Sequence, residues 1–119
     1  KGNPTSADDL ARAVLSILAT IGRTGWKDIY AGLFHACGTG ETTWYGLAVQ
    51  TLREAARYGQ PMPEITPIAT ADWPTPAPRP ADSRMNTDKL AQVFGITMPQ
   101  WQNSVSEVVR KTYSQQHIQ

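Results

Sequence analysis

Cysteine is nearly absent: Cys37 stands alone among 119 residues, so no internal disulfide can brace the fold, and the chain suits a reducing compartment. Histidine is almost as scarce, and His35 has no second ligand-type residue at a metal-binding spacing. No apolar run is long enough for a membrane span, since the longest periodic stretch, Leu10–Ile21, is broken by Arg12, Ser16 and Thr20. No cationic segment leading into an apolar one opens the chain, so nothing points to secretion. Charge of one sign is lacking too: 11 Lys and Arg face 10 Asp and Glu, leaving +1 and no basic cluster. That balance argues against nucleic acid as a partner. The expectation is a cytoplasmic protein without membrane or nucleic-acid partners.

Signatures of catalysis are missing in the same way. There is no convincing Ser-His-Asp order, no His-Glu-x-x-His, no Cys-x-x-Cys and no P-loop. Tyr30, Tyr45, Tyr58 and Tyr113 all lack a lysine four residues on. Asp8 and Asp9 read as first-turn partners of a helix dipole, and Glu41 and Asp72 have no partner identifiable from sequence. If this polypeptide takes part in catalysis, it does so by holding a substrate.

What is present reads as one domain at most, 40% hydrophobic and with a mean hydropathy of −0.38. The opening Lys1-Gly2-Asn3-Pro4, without methionine, has the look of a processed protein or an excised domain. Thr5-Ser6-Ala7-Asp8-Asp9, a hydroxyl N-cap candidate followed by acids, starts a helix over about residues 6 to 22, with Leu10, Val14, Ile17, Leu18 and Ile21 in one apolar stripe. Leu33–Ala36 reads as a short strand that holds His35 as a partly buried structural residue, and Cys37 reads as a small buried one. Gly38-Thr39-Gly40 is a tight turn into a second helix, capped by Thr42 or Thr43 and lined by Leu47, Thr51, Leu52 and Ala55 to about Tyr58. A Gly-x-Gly before a helix can cradle phosphate, but without a third glycine a simple turn is the better reading. Trp44-Tyr45 is either a stacking platform or a packing wedge.

Glu64–Ile68 reads as an edge strand, since Pro67 excludes a central one. Asn86–Leu90 opens a third helix stopped by Gly95, and Pro99 starts a fourth along which Trp101, Val105, Val108 and Val109 line one face. Ser114–Gln119 is a polar tail expected to fray. Two short strands cannot stand alone as a sheet, so they are expected to extend the sheet of another domain.

Between strand and third helix lies Trp73-Pro74-Thr75-Pro76-Ala77-Pro78-Arg79-Pro80-Ala81-Asp82-Ser83-Arg84. Its alternating prolines fix φ and remove donors, making a stiff, polyproline-like arm. Arg79 and Arg84 offer forked donors suited to planar or phosphorylated ligands, and Pro78 and Pro80 hold Arg79 rigidly.

Four pieces in order resemble the C-terminal part of the dTDP-4-dehydrorhamnose reductase family. They are Gly2-x-Pro4-Thr5 with Asp9-Leu10-Ala11; Phe34-His35-x-x-Gly38-x-Gly40-Glu41-Thr42-Thr43-Trp44-Tyr45-Gly46; the arm; and Asn86-Thr87-x-Lys89-Leu90 with Pro99-x-Trp101. The likeness covers residues 2 to about 112. Two departures stand in the arm: Trp73 replaces the family's usual Tyr, and Asp82 its usual Asn, which sets a negative charge that could orient Arg79 or Arg84.

The resemblance implies an α/β architecture overall, with this chain the mostly helical C-terminal substrate domain, of about four helices and two or three short strands, in a Rossmann-type extended short-chain dehydrogenase/reductase. Residues 1–119 would be the substrate-binding part, inactive alone, and an N-terminal NAD(P)-binding Rossmann domain, absent from this chain, would bring NADPH or NADH and the Tyr-x-x-x-Lys group. The implied reaction reduces dTDP-4-dehydro-L-rhamnose to dTDP-L-rhamnose for cell-surface polysaccharide. The implied substrate-binding residues are Arg79, Trp44, Thr5 and Arg84. Partners would be the dTDP-sugar and the chain's own Rossmann domain, and the family pattern leaves room for a homodimer and Mg2+. Two other readings stand beside it: a non-catalytic regulatory subunit of the same fold, like the methionine adenosyltransferase β subunit, and a helical interaction module using the Trp101–Val109 face.

Overall fold

The computed structural model describes residues 1–116. Four helices carry it: α1 (Ala7–Thr24), α2 (Trp44–Ala56), α3 (Asp88–Phe94) and α4 (Trp101–Gln116). Single 3-10 turns, Asp28–Tyr30 and Thr70–Asp72, interrupt the connections. Ser6 caps α1 by accepting from the Asp9 amide, and the helix runs past Gly22 to Gly25, whose φ of 76° turns the chain away. Thr43 caps α2 through the Gly46 amide, and Gly95 ends α3 in the left-handed region. Helix α4 continues to Gln116, so the expected frayed tail is helical as far as that residue; positions 117–119 lie outside the described residues.

Both expected strands are absent. Among the described residues the extended pairing amounts to two isolated bridges, Gly2 with Thr42 and Thr39 with Gln100. Leu33–Ala36 has no neighbouring chain to offer a ladder of donors and acceptors, and His35 is exposed rather than held in a strand. The 64–68 segment, flanked by Pro61 and Pro63 and containing Pro67, is unpaired and almost wholly exposed. The expected mostly helical make-up with four helices is observed, with two isolated bridges in place of the short strands.

Helices α2 and α4 pack together, with Ala55, Trp101 and Val109 buried. Trp101 and Val109 thus belong to the core, while Val105 and Val108 of the same expected face stay half-buried and exposed. Leu90 is 1% exposed, a burial that contributes about 1.5–3 kcal/mol. Beside it Tyr30 stacks on Phe94, and Phe34 leans on Phe94 with the Lys89 ammonium 4.3 Å from its ring centroid.

Helix α1 behaves differently. Its core side holds Ala13 and the carboxylate of Asp9, which accepts a short hydrogen bond from Ser104 of α4 and an ion pair from Arg12. The apolar stripe exists, but Leu10, Val14 and Leu18 on it are exposed, and Ile17 and Ile21 are only half-buried.

Candidate functional site

Three segments distant in sequence meet around the Gly38–Thr43 turn. Gly2 and Thr42 exchange two backbone hydrogen bonds of 2.9 and 3.0 Å. Thr39 donates to Pro99 and accepts from the amide of Trp101, which satisfies an otherwise unpaired donor at the start of α4. The Gly38 amide donates to Thr5 Oγ1 at 2.8 Å, and that hydroxyl donates to the Asn3 carbonyl at 2.9 Å. Close approach explains the glycines: a Cβ on Gly38 would lie 2.1 Å from the Pro4 carbonyl oxygen, and Gly40 has φ of 87° against the Trp101 indole.

Three of this turn's six amides, those of Gly38, Thr39 and Thr42, already donate to protein oxygens and are not open to an anion. Nor does the described part of the chain hold a cluster of three His, Cys, Asp or Glu side chains fit to grip a metal ion.

An open cleft of about 580 Å³ lies beside the turn, lined by Asn3, Gly40, Glu41, Asp82, Arg84 and Asp88 among others. Arg84 is committed within it. Its Nε and Nη2 donate to the two oxygens of Asp82 at 2.9 and 2.6 Å, and Nη1 donates to Glu41 at 2.6 Å. The guanidinium bonds hold both carboxyls below their ordinary ranges, and the paired anions raise Arg84 in turn. Asn3 bridges the same region, donating to the Gly40 carbonyl at 2.7 Å and accepting from the Met85 amide at 2.8 Å. Three carboxylates against one guanidinium make this cleft a poor seat for a diphosphate.

A second groove, about 400 Å³ and mostly apolar, runs between the α1 start, α2 and α4, with Thr5, Trp44, Leu47, Thr51, Val105 and Val108 on its walls. Trp44 stands 85% exposed at the first turn of α2, so within this chain it does not act as a packing wedge.

The structure therefore separates the sequence-derived candidates. Thr5 and Trp44 share the apolar groove, Arg84 lines the polar cleft, and Arg79 lies exposed on the arm, lining neither and ion-paired with no described residue. Asp82 orients Arg84. Cys37 is free and buried, with burial raising its thiol above the usual range. Sequence reasoning passed over Asn3 and assigned Glu41 no partner; the only hint was their place inside the Gly2–Thr5 and Gly38–Thr43 motifs, because the contact with Arg84 spans 43 residues.

Comparison with known proteins follows the same boundaries. The family model described as RmlD substrate binding domain matches residues 1–114. A dTDP-4-dehydrorhamnose reductase of Sinorhizobium fredii is 37% identical over 108 residues, covering 91% of this chain and 36% of the relative. One from Escherichia coli is 34% identical over 115 residues, covering 95% and 38%. A Streptomyces antibioticus relative, named as a probable dTDP-4,6-dihydroxy-2-methyloxan-3-one 4-ketoreductase, is 27% identical over 118 residues, covering 98% and 36%. The chain spans a little over a third of the length of these curated relatives.

Proposed function

The chain belongs to the RmlD substrate binding domain family, and from that premise we propose that it is the sugar-nucleotide-holding part of an NAD(P)H-dependent reductase converting dTDP-4-dehydro-L-rhamnose to dTDP-L-rhamnose. The observation that carries this reading is the agreement of the relatives: the three described all bear names of dTDP-sugar reductases, and each aligns over more than nine tenths of the chain. The segment contributes binding and orientation, while hydride chemistry belongs to a nicotinamide held by an upstream Rossmann half.

Two features support such a half. The exposed Leu10, Val14 and Leu18 form an apolar stripe of the kind that another layer covers. The Cα radius of gyration is 17.5 Å, whereas a compact domain of this length has about 13.5 Å. Arg79, rigidly bracketed and free of carboxylates, is the diphosphate contact, and Trp44 and Thr5 bound the groove on the sugar side.

The test joins the upstream half to this segment and measures NAD(P)H oxidation with dTDP-4-dehydrorhamnose; no oxidation would sink the proposal. In that protein Arg79→Ala is expected to weaken dTDP-sugar binding by about 1.5–3 kcal/mol, the worth of a charged hydrogen bond, and an unchanged affinity removes Arg79 from the site.

A further inference from the structure

Among the described residues, the arm is hydrogen-bonded to the rest of the molecule at one end only. From Pro61 to Pro80 nearly every described residue is exposed, and the hydrogen bonds close within the segment, as from Ala69 to Asp72 and from Thr75 to Ala77. Ties to the rest of the molecule begin just past Pro80. There the Ser83 amide donates to the Lys1 carbonyl, Met85 donates to Asn3, and Arg84 reaches Glu41. Glu41 itself stands on the turn that is bonded both to the chain start and to α4.

We propose that the Glu41–Arg84–Asp82 clamp, aided by Asn3, is a positioning device that aims the proline arm and so sets affinity for the sugar nucleotide, with Arg84 touching the arm's anchor and not the ligand. The geometry supports this in three ways. Arg84 spends three donors on two carboxylates, so its charge is already neutralised. Asp82 pairs with it in a fork, which fixes the guanidinium plane relative to the arm's own backbone. Glu41 fixes that plane relative to the turn. Only four residues separate this root from Arg79, and Pro80 restricts φ among them, so the orientation at the root carries to Arg79 over a short span. Pre-setting the arm lowers the ordering cost of binding. The presence of Asp82, where an uncharged amide would bond only one way, is what closes the fork.

The inference rests on the reading of the preceding subsection, and its test separates the two. In the intact reductase, Arg84→Met, Glu41→Gln and the double variant are compared with the parent by KM, by kcat and by acrylamide quenching of Trp73, taken as the difference from a Trp73→Phe control. Trp73 is on the arm and 72% exposed. Each single variant is expected to raise KM about three- to tenfold, more than it lowers kcat, and to raise Trp73 quenching. The double variant is expected to be no worse than the weaker single, because the residues act as one unit. Arg84→Lys, which keeps a charge but loses the fork, should recover part of the effect. The proposal is overturned if Glu41→Gln leaves KM unmoved or lowers it while Arg84→Met abolishes binding, since Arg84 would then contact the ligand directly. Quenching that rises without a change in KM would also overturn it. Should the parent fail to turn over dTDP-4-dehydrorhamnose, the functional reading falls, yet Trp73 quenching needs no ligand and still decides the clamp: parental quenching in both single variants refutes it.

Discussion

The Gly38–Thr43 turn and the proline arm are both irregular segments marked by conformationally special residues, yet they are held in place by opposite means. The turn is fixed from outside, through amides that donate to Thr5, Pro99 and Gly2. The arm is fixed from inside, by torsions that its four alternating prolines restrict, and from outside, among the described residues, at Ala81–Met85. A segment bonded on several sides loses stability when altered. A segment that is stiff but unsupported loses direction instead, and direction matters only to whatever the arm must meet.

Changes at the turn should accordingly be the costly ones. Gly38→Ala would push a Cβ to 2.1 Å from the Pro4 carbonyl oxygen, where backbone cannot yield cheaply, and is expected to destabilise by about 3 kcal/mol in denaturant unfolding. A shift below about 0.5 kcal/mol would mean the turn is as loosely held as the arm. Next in size is Asp9→Ala, which removes the buried acceptor joining α1 to Ser104 of α4. Ser104 keeps a weaker bond to the Gln100 carbonyl, so about 2 kcal/mol is expected rather than the larger cost of a stranded polar group. Arg79→Ala is the contrasting case: its effect belongs to ligand affinity, and unfolding should barely register it, because the side chain is exposed and ion-paired with no described residue.

The same contrast explains which parts of the molecule could be read from the sequence. Helix ends were legible because their signals are local: Ser6 three residues before Asp9, Thr43 before Gly46, Gly95 closing α3. Gly22 misled as a stop because a glycine inside a helix costs only about 1 kcal/mol, which the flanking turns of α1 absorb. The α1 stripe was visible as a period, but periodicity does not name a partner, and Leu10, Val14 and Leu18 face away from this chain's core. Leu33–Ala36 had the composition of a strand without the neighbour a strand requires. The arm's stiffness was plain from its prolines. Its anchor was not, because Glu41 and Asn3 meet Arg84 and Met85 across 43 and 82 residues, and no local pattern encodes such a contact.

The smallest effect expected is an acid-dependent loosening of that anchor, and its sign follows from the clamp's bonds. Arg84 holds the carboxyls of Asp82 and Glu41 below their ordinary values of 3.8 and 4.5, so both give up protons more readily in the folded protein than in the unfolded one. Groups of that kind contribute above their unfolded pKa, and the contribution is lost as pH falls through the depressed folded values. Arg84 is raised and stays charged throughout, so nothing in the clamp titrates between neutral and mildly alkaline pH. Trp73 quenching should therefore stay flat from about pH 8 down to about pH 5 and rise only below that. Asp8 with Lys111 and Glu107 with Arg110 weaken in the same acid window, so helicity must be followed in parallel to separate general unfolding from movement of the arm. In Glu41→Gln with Asp82→Asn the acid rise should shrink towards zero, with quenching already high at neutral pH. A step near neutrality, or an acid rise of parental size in that double variant, would place the titrating group elsewhere and leave the arm's direction to its prolines alone.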